Sequence, residues 1–235
     1  MRAGVAQINL SNDIGTNTER ILSYLKSAAS LEVDFLCFPE CSLTGYKCDF
    51  HNINWNEVAQ ALDKLQEAVT TEGVTIAVGT PYAEAGKIYN AAIVISADHK
   101  LKYFKNNLTD FDKQYFAKGK GILSFAVKGI KCGLLICRDQ NDLWLAQEYA
   151  RMGTKVVFLP AAHYYLPAEA HRKVAKNRAL PIARAVENGF FVAKANAVGF
   201  QDDYVSLGHS MIVDPEGSVV CEADEKEEKL LYHDL

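Results

Sequence analysis

The sequence predicts an α/β protein, with helices packed outside one mixed sheet or two sheets. Short apolar or alternating runs recur along the chain, as strands require. Segments of helical periodicity separate some of these runs, and turn-rich segments join others. Two runs, 33–38 (Val-Asp-Phe-Leu-Cys-Phe) and 131–137 (Lys-Cys-Gly-Leu-Leu-Ile-Cys), are almost continuously apolar, which suits strands buried on both faces.

From the N-terminus, residues 4–9 read as a strand. Residues 17–30 follow as a helix whose apolar face is Ile21, Leu22, Leu25, Ala28 and Ala29. Strand 33–38 leads to helix 54–72, with Val58, Ala61, Leu62, Leu65, Ala68 and Val69 on one side. Strands 74–79, 89–95 and 101–105 are joined through turn signals at 84–87 and 97–100. Strands 122–127 and 131–137 meet at Lys128-Gly129. Helix 143–152, strand 155–159 and helix 168–187 come next. Pro181 is expected to kink or split that last helix near Leu180, because proline lacks an amide donor and crowds the preceding turn. Strands 190–195 and 208–213 close the pattern, and the charged run 224–229 reads as a solvated loop.

A length of 235 residues fits a single domain spanning 1–235. With 49% hydrophobic residues, it can bury a core without metal or disulfide staples. A net charge of −4 argues against nucleic acid as the partner. No run approaches the roughly 20 apolar residues of a membrane span, so no membrane partner is expected. The apolar stretch 3–10 is interrupted by Gln7 and Asn9 and does not read as a secretory signal, so the expected location is cytoplasmic. Six cysteines should then be reduced thiols. Cys37, Cys41, Cys48 and His51 lie close in sequence. Their spacing matches no zinc motif, however, and Cys37 sits in an apolar strand, so no metal site is predicted.

Three reactive residue types stand at the ends of separate strands. Cys137 ends an apolar strand just before a helical stretch, where amide donors and a helix N-terminus favour thiolate and oxyanion alike. A buried small hydrophobe would occupy the same place. Glu40 follows Phe38-Pro39, where desolvation would raise its pKa and suit it to general-base work. A loop acid is the alternative. Lys105 ends the strand 101–105, as a cation for developing negative charge or as a solvated lysine. In α/β proteins, sites form where strands end.

Six segments, in order, carry a resemblance to the nitrilase superfamily, the carbon–nitrogen hydrolases. They are Phe38-Pro39-Glu40 with Leu43-Thr44-Gly45-Tyr46, then 103–108, 133–139, 184–188, Ala195-Asn196 with Gly199, and 208–217. The resemblance implies a four-layer α-β-β-α sandwich with two mixed sheets and pseudo-symmetric halves, assembled as a homodimer or higher homo-oligomer. It implies Glu40 as base, Lys105 as oxyanion-stabilising cation and Cys137 as nucleophile, with no metal or organic cofactor. Asp112 stands where many members carry a second glutamate, and there it would orient the substrate or Lys105. Arg138 would either fork to a substrate carboxylate or pair with a surface acid. The strand end before His163 and Tyr164 would line the substrate pocket, although His163 also fits a structural or surface role. The chain ends soon after Leu231, without the tail that often crosses the family's dimer.

The leading expectation is a hydrolase for a small-molecule amide or N-carbamoyl amine. A non-catalytic scaffold on the same fold and a glutaminase subunit feeding ammonia to a synthetase are the alternatives.

Overall fold

The computed structural model describes all 235 residues, Met1–Leu235. The first half runs β1 (Arg2–Gln7), α1 (Ile14–Ser30), β2 (Phe35–Cys37), α2 (Trp55–Glu72), β3 (Thr75–Glu84), β4 (Lys87–Ile95) and β5 (Lys100–Phe104). The second begins β6 (Ser124–Val127), β7 (Ile130–Leu134), α3 (Leu143–Arg151), β8 (Val156–Ala161) and β9 (Tyr164–Tyr165). It continues α4 (Pro167–Asn188), β10 (Phe191–Asn196), β11 (Val198–Gln201), β12 (Tyr204–Leu207), β13 (Met211–Val213), β14 (Val219–Glu222) and β15 (Lys229–Asp234).

One sheet has the order β15-β1-β2-β3-β4-β5, the other β14-β13-β10-β8-β7-β6; β11, β12 and β9 form a small third sheet. In the first sheet β1, β2 and β3 are parallel, joined by crossover helices α1 and α2. In the second β7, β8 and β10 are parallel, joined by α3 and α4. The halves thus repeat one β-α-β-α-β pattern.

Side-chain alternation builds the four layers. Phe35 and Cys37 of β2 face Phe158 of β8 and Ala193 of β10 between the sheets, where the Phe35 and Phe158 rings stack at 4.1 Å. Leu36 and Phe38 point the other way, onto Ile21 and Leu25 of α1 and Leu65 of α2. Val157 and Leu159 pack outward on Leu145 and Tyr149 of α3. This is why the central strands read as continuous apolar runs: both faces are covered. Each such side chain contributes about 1.5–3 kcal/mol by leaving water.

Helix ends follow their caps. α1 starts at Ile14, earlier than its periodicity suggests, because the Asp13 carboxylate accepts from Thr16 N at 2.6 Å. Asn54 caps α2, which ends at Gly73 with φ +72. Of the kink or split expected at Pro181, the split is corrected: α4 runs unbroken from Pro167 to Asn188. Pro181 offers no N–H to the carbonyl of Asn177, four residues back. Lys194 Nζ, reaching out from β10, donates to that carbonyl at 3.2 Å instead.

The sequence pattern missed β9, β11, β12, β14 and β15. The exposed run 224–229 leads into β15, which pairs antiparallel with β1 from Arg2↔Asp234 to Gln7↔Lys229. Cys37 lies between the sheets and Cys41 under the outer helices, so the two point to opposite faces. No helix is long and apolar enough to cross a membrane.

Candidate active site

Glu40 lies in the turn that leaves β2. This turn presses onto β3 so closely that a Cβ at Gly79 would sit 2.2 Å from Cys41 N and 2.5 Å from Pro39 O. Glycine at 79 is therefore a condition of the turn. Lys105 continues β5, with its N–H donating to Asn90 O at 2.9 Å. Glu40, Lys105 and Asp112 are all completely or almost completely buried.

The three form one cluster. Lys105 Nζ donates to Glu40 Oε1 at 2.5 Å and to Asp112 Oδ2 at 2.7 Å. Asn90 Nδ2 also donates to Glu40 Oε1, at 2.8 Å. Asp112 accepts from Tyr46 OH at 3.0 Å and Thr109 N at 2.8 Å. Glu40 Oε2 is buried and has no partner. Burial pushes the Glu40 carboxyl up, Asp112 adds to this, and Lys105 opposes it. Burial works against the Lys105 charge, but Glu40 first, with Asp112 also contributing, outweighs it and holds the ammonium well above its ordinary value. Burial likewise opposes the Asp112 charge, yet Lys105 keeps that carboxyl low. Asp112 therefore holds Lys105.

Cys137 opens a short 3₁₀ turn, Cys137–Asn141, after β7. Its φ of +47 is left-handed, a conformation that costs a non-glycine residue roughly 1–3 kcal/mol. Burial raises the thiol pKa, Glu40 raises it further, and Lys105 together with a backbone contact at Ala162 opposes both. Burial and Glu40 together thus favour the neutral thiol form of Cys137.

Asp139 couples the two halves of the site. Oδ1 accepts from Asn106 N at 3.0 Å and Asn107 N at 2.6 Å, just after Lys105. Oδ2 accepts from Tyr103 OH at 2.8 Å and Ile136 N at 3.1 Å, just before Cys137. Burial pushes this carboxyl up to about 6, against four donors that favour its ionised form. From the other side, Arg184 of α4 donates to Gln140 O at 2.9 Å.

Cys137 opens onto a cavity of about 230 Å³. Arg138 lines it and forms no salt bridge, unlike the surface-pair alternative read from sequence. His163 also lines it and is buried. Desolvation and the nearby Lys194, Lys105 and Lys176 hold its pKa well below the ordinary value, so it is neutral. Tyr164 is corrected: strand alternation turns it into the core, and its neighbour Tyr165 lines the cavity. Thr109, Gln140, Asn177, Lys173 and Lys176 line it as well, and sequence reasoning missed them. The spacing of Lys173 and Lys176 on a helix was legible; that this face of α4 meets Cys137 was not. Asp139 was visible next to Cys137, but its partners Tyr103, Asn106 and Asn107 lie more than thirty residues away.

The sequence matches the family described as Carbon-nitrogen hydrolase over residues 2–235. The chain is 30% identical to ω-amidase NIT2 of Mus musculus, covering 100% of this chain and 88% of that protein. It is 29% identical to an (R)-stereoselective amidase of Pseudomonas sp, covering 92% of this chain and 77% of that one. It is also 31% identical to a glutamine-dependent NAD(+) synthetase of Xanthomonas campestris, covering 93% of this chain but 41% of that protein. Among solved structures, an amidase from Nesterenkonia sp. superposes with a TM-score of 0.89 at 25% identity, over 100% of this chain and 90% of that one.

Proposed function

The chain belongs to the carbon–nitrogen hydrolase family, and from that premise we propose that it is a thiol amidase, opening the C–N bond of a small amide or N-carbamoyl amine through a thioester on Cys137. The observation that carries this reading is the buried Glu40–Lys105–Asp112 cluster beside a cavity-lining cysteine, with one Glu40 oxygen unpartnered.

Glu40 takes the proton of Cys137, and the sulfur forms a bond to the carbonyl carbon. The oxygen of the tetrahedral intermediate becomes an anion. The Lys105 ammonium faces it, and the Arg138 N–H, in the first turn where amides lack helical partners, adds a second donor. The C–N bond breaks, the nitrogen takes the proton from Glu40, and ammonia or an amine departs. Glu40 then removes a proton from water, the hydroxide adds to the thioester, and the C–S bond breaks. The thiolate recovers its proton, leaving the acid as the second product. The net reaction consumes one water for each bond cut. Asp112 maintains the Lys105 charge and its aim throughout.

The same reading makes residues 1–235 one catalytic domain that needs no metal or organic cofactor and engages neither nucleic acid nor membrane. It places the protein in the cytoplasm, as a homodimer or larger homo-oligomer. Exposed Leu143, Trp144 and Val186 on α3 and α4 support a self-association face. Likeness to one part of a longer synthetase favours a second reading, a glutaminase partner. Co-purification with an ATP-consuming synthetase would support that reading.

The test is ammonia release from a panel of short amides and N-carbamoyl amines. Cys137→Ser should abolish it, and intact-mass analysis of quenched wild-type turnover should show an acyl adduct on Cys137. Full activity in Cys137→Ser overturns the assignment.

A further inference from the structure

Gln201 is buried beside the turn of the β11–β12 hairpin, in the second half of the chain. It lines no part of the cavity at Cys137. Its side chain crosses instead to the first half. Oε1 accepts from Tyr46 N at 3.1 Å and from Lys47 N at 2.8 Å, and Nε2 donates to Asn12 Oδ1. Neither Tyr46 N nor Lys47 N has a backbone acceptor, so one side-chain oxygen serves both amides. The fit is close: Gly45 has a φ of +80, and a Cβ there would lie 2.2 Å from Gln201 Nε2.

Tyr46 carries this hold into the Glu40–Lys105–Asp112 cluster. Its hydroxyl donates to Asp112 Oδ1 at 3.0 Å, while Asp112 Oδ2 accepts from Lys105 Nζ. Lys105 Nζ also lies 5.8 Å from the centre of the Tyr46 ring. Lys47 ties the same hairpin to the same cluster. Its Nζ stands 4.0 Å from the ring centre of Tyr204, across the hairpin from Gln201, and 4.4 Å from that of Phe111, the residue before Asp112.

We propose that Gln201 is a positioning residue for the reaction. It fixes the backbone at Tyr46, so the Tyr46 hydroxyl keeps Asp112, and through Asp112 the Lys105 ammonium, aimed at the developing oxyanion. This rests on the amidase reading. Loosening the hold displaces Lys105 where charge develops and leaves the cavity wall as it is. The loss therefore falls on kcat and not on KM.

The experiment is a double-variant cycle on ammonia release from the amide that the wild type turns over fastest. Gln201→Met keeps the length of the side chain and removes its acceptor. It should lower kcat by about tenfold with KM within about twofold of wild type. Gln201→Glu keeps an acceptor oxygen and should hold kcat within about threefold. In Tyr46→Phe, which lacks the hydroxyl, Gln201→Met should cost less than about twofold more, because its effect passes through that hydroxyl. A residue that merely supports the fold would give losses that multiply. Should Gln201→Met fail to fold, Asn12→Ala, a surface change that frees the Gln201 amide, enters the same cycle with the same criterion. Alkylation of Cys137 by iodoacetamide, located by peptide mass mapping, reads the site without turnover, since Lys105 favours the thiolate. If no amide is hydrolysed while alkylation slows in Gln201→Met and no further in the double variant, the amidase reading falls and the role of Gln201 stands. If amides are hydrolysed and the Gln201 variant keeps its kcat, or the losses multiply, the role of Gln201 falls and the amidase reading stands.

Discussion

Lys105 is held between two carboxylates, and the pair it forms with each is fully buried. Such pairs survive burial only when every partner stays in place. Asp112→Asn should therefore lower kcat by about 10- to 100-fold, within the range of acid–base and oxyanion effects. The same variant makes a signed prediction. Asp112 raises the Glu40 pKa by like charge, and in the proposed mechanism Glu40 works as base only when deprotonated. Activity is lost as pH falls through that raised pKa, above the ordinary carboxylate range. Removing Asp112 lowers the Glu40 pKa, so the acid limb of the kcat profile should move to lower pH. An unmoved limb would separate Asp112 from Glu40. In sequence, Asp112 is one methylene shorter than the more usual glutamate; the Thr109 N–H and Tyr46 hydroxyl that fix it could not be read there.

At the scale of the element, α4 shows how a local rule is overruled. Pro181 leaves the Asn177 carbonyl without a helical donor, and Lys194 from β10 supplies one. Burial lowers the Lys194 pKa to about 7. Unfolded, it stays charged up to its ordinary 10.5, so folding releases a proton between these limits. Stability attributable to this group rises with pH from about 7 to 10.5, and the whole cost of the buried ammonium is present below 7. Urea denaturation should accordingly show Lys194→Met gaining on the wild type as the pH is lowered from about 10.5 to about 7, with no further gain below. Alanine at 181 restores an N–H to the Asn177 carbonyl, so Lys194→Met should be better tolerated by about 1–3 kcal/mol in Pro181→Ala. Additive effects would mean that the lysine does not repair the helix.

For the whole molecule, the outer surface of α3 and α4 exposes Leu143, Trp144 and Val186, each more than half accessible. Large apolar side chains grouped on a monomer surface mark association sites. Trp144→Glu should shift the protein toward monomer in sedimentation velocity, with its secondary structure kept. A wild type that sediments as a monomer would remove the proposed self-association. The two-sheet architecture also explains why one site needs both halves. Glu40 and Lys105 come from the first sheet and Cys137 from the second, and Asp139 ties their loops together.

The sequence by itself determined the layered α/β class, because strands covered on both faces must be continuously apolar and their crossover helices must be amphipathic. It also singled out Glu40, Lys105 and Cys137 as candidates, since each stands at or just beyond the end of a recognisable strand within an ordered motif. The edge strands β14 and β15 escaped it because their burial is partial, and β15 pairs with β1 at the other end of the chain. Only the tertiary structure decided that Tyr165 rather than Tyr164 meets the cavity, that α4 survives its proline, and that Lys173 and Lys176 face Cys137. Each of these depends on which residues far apart in sequence become neighbours, and no local period encodes that.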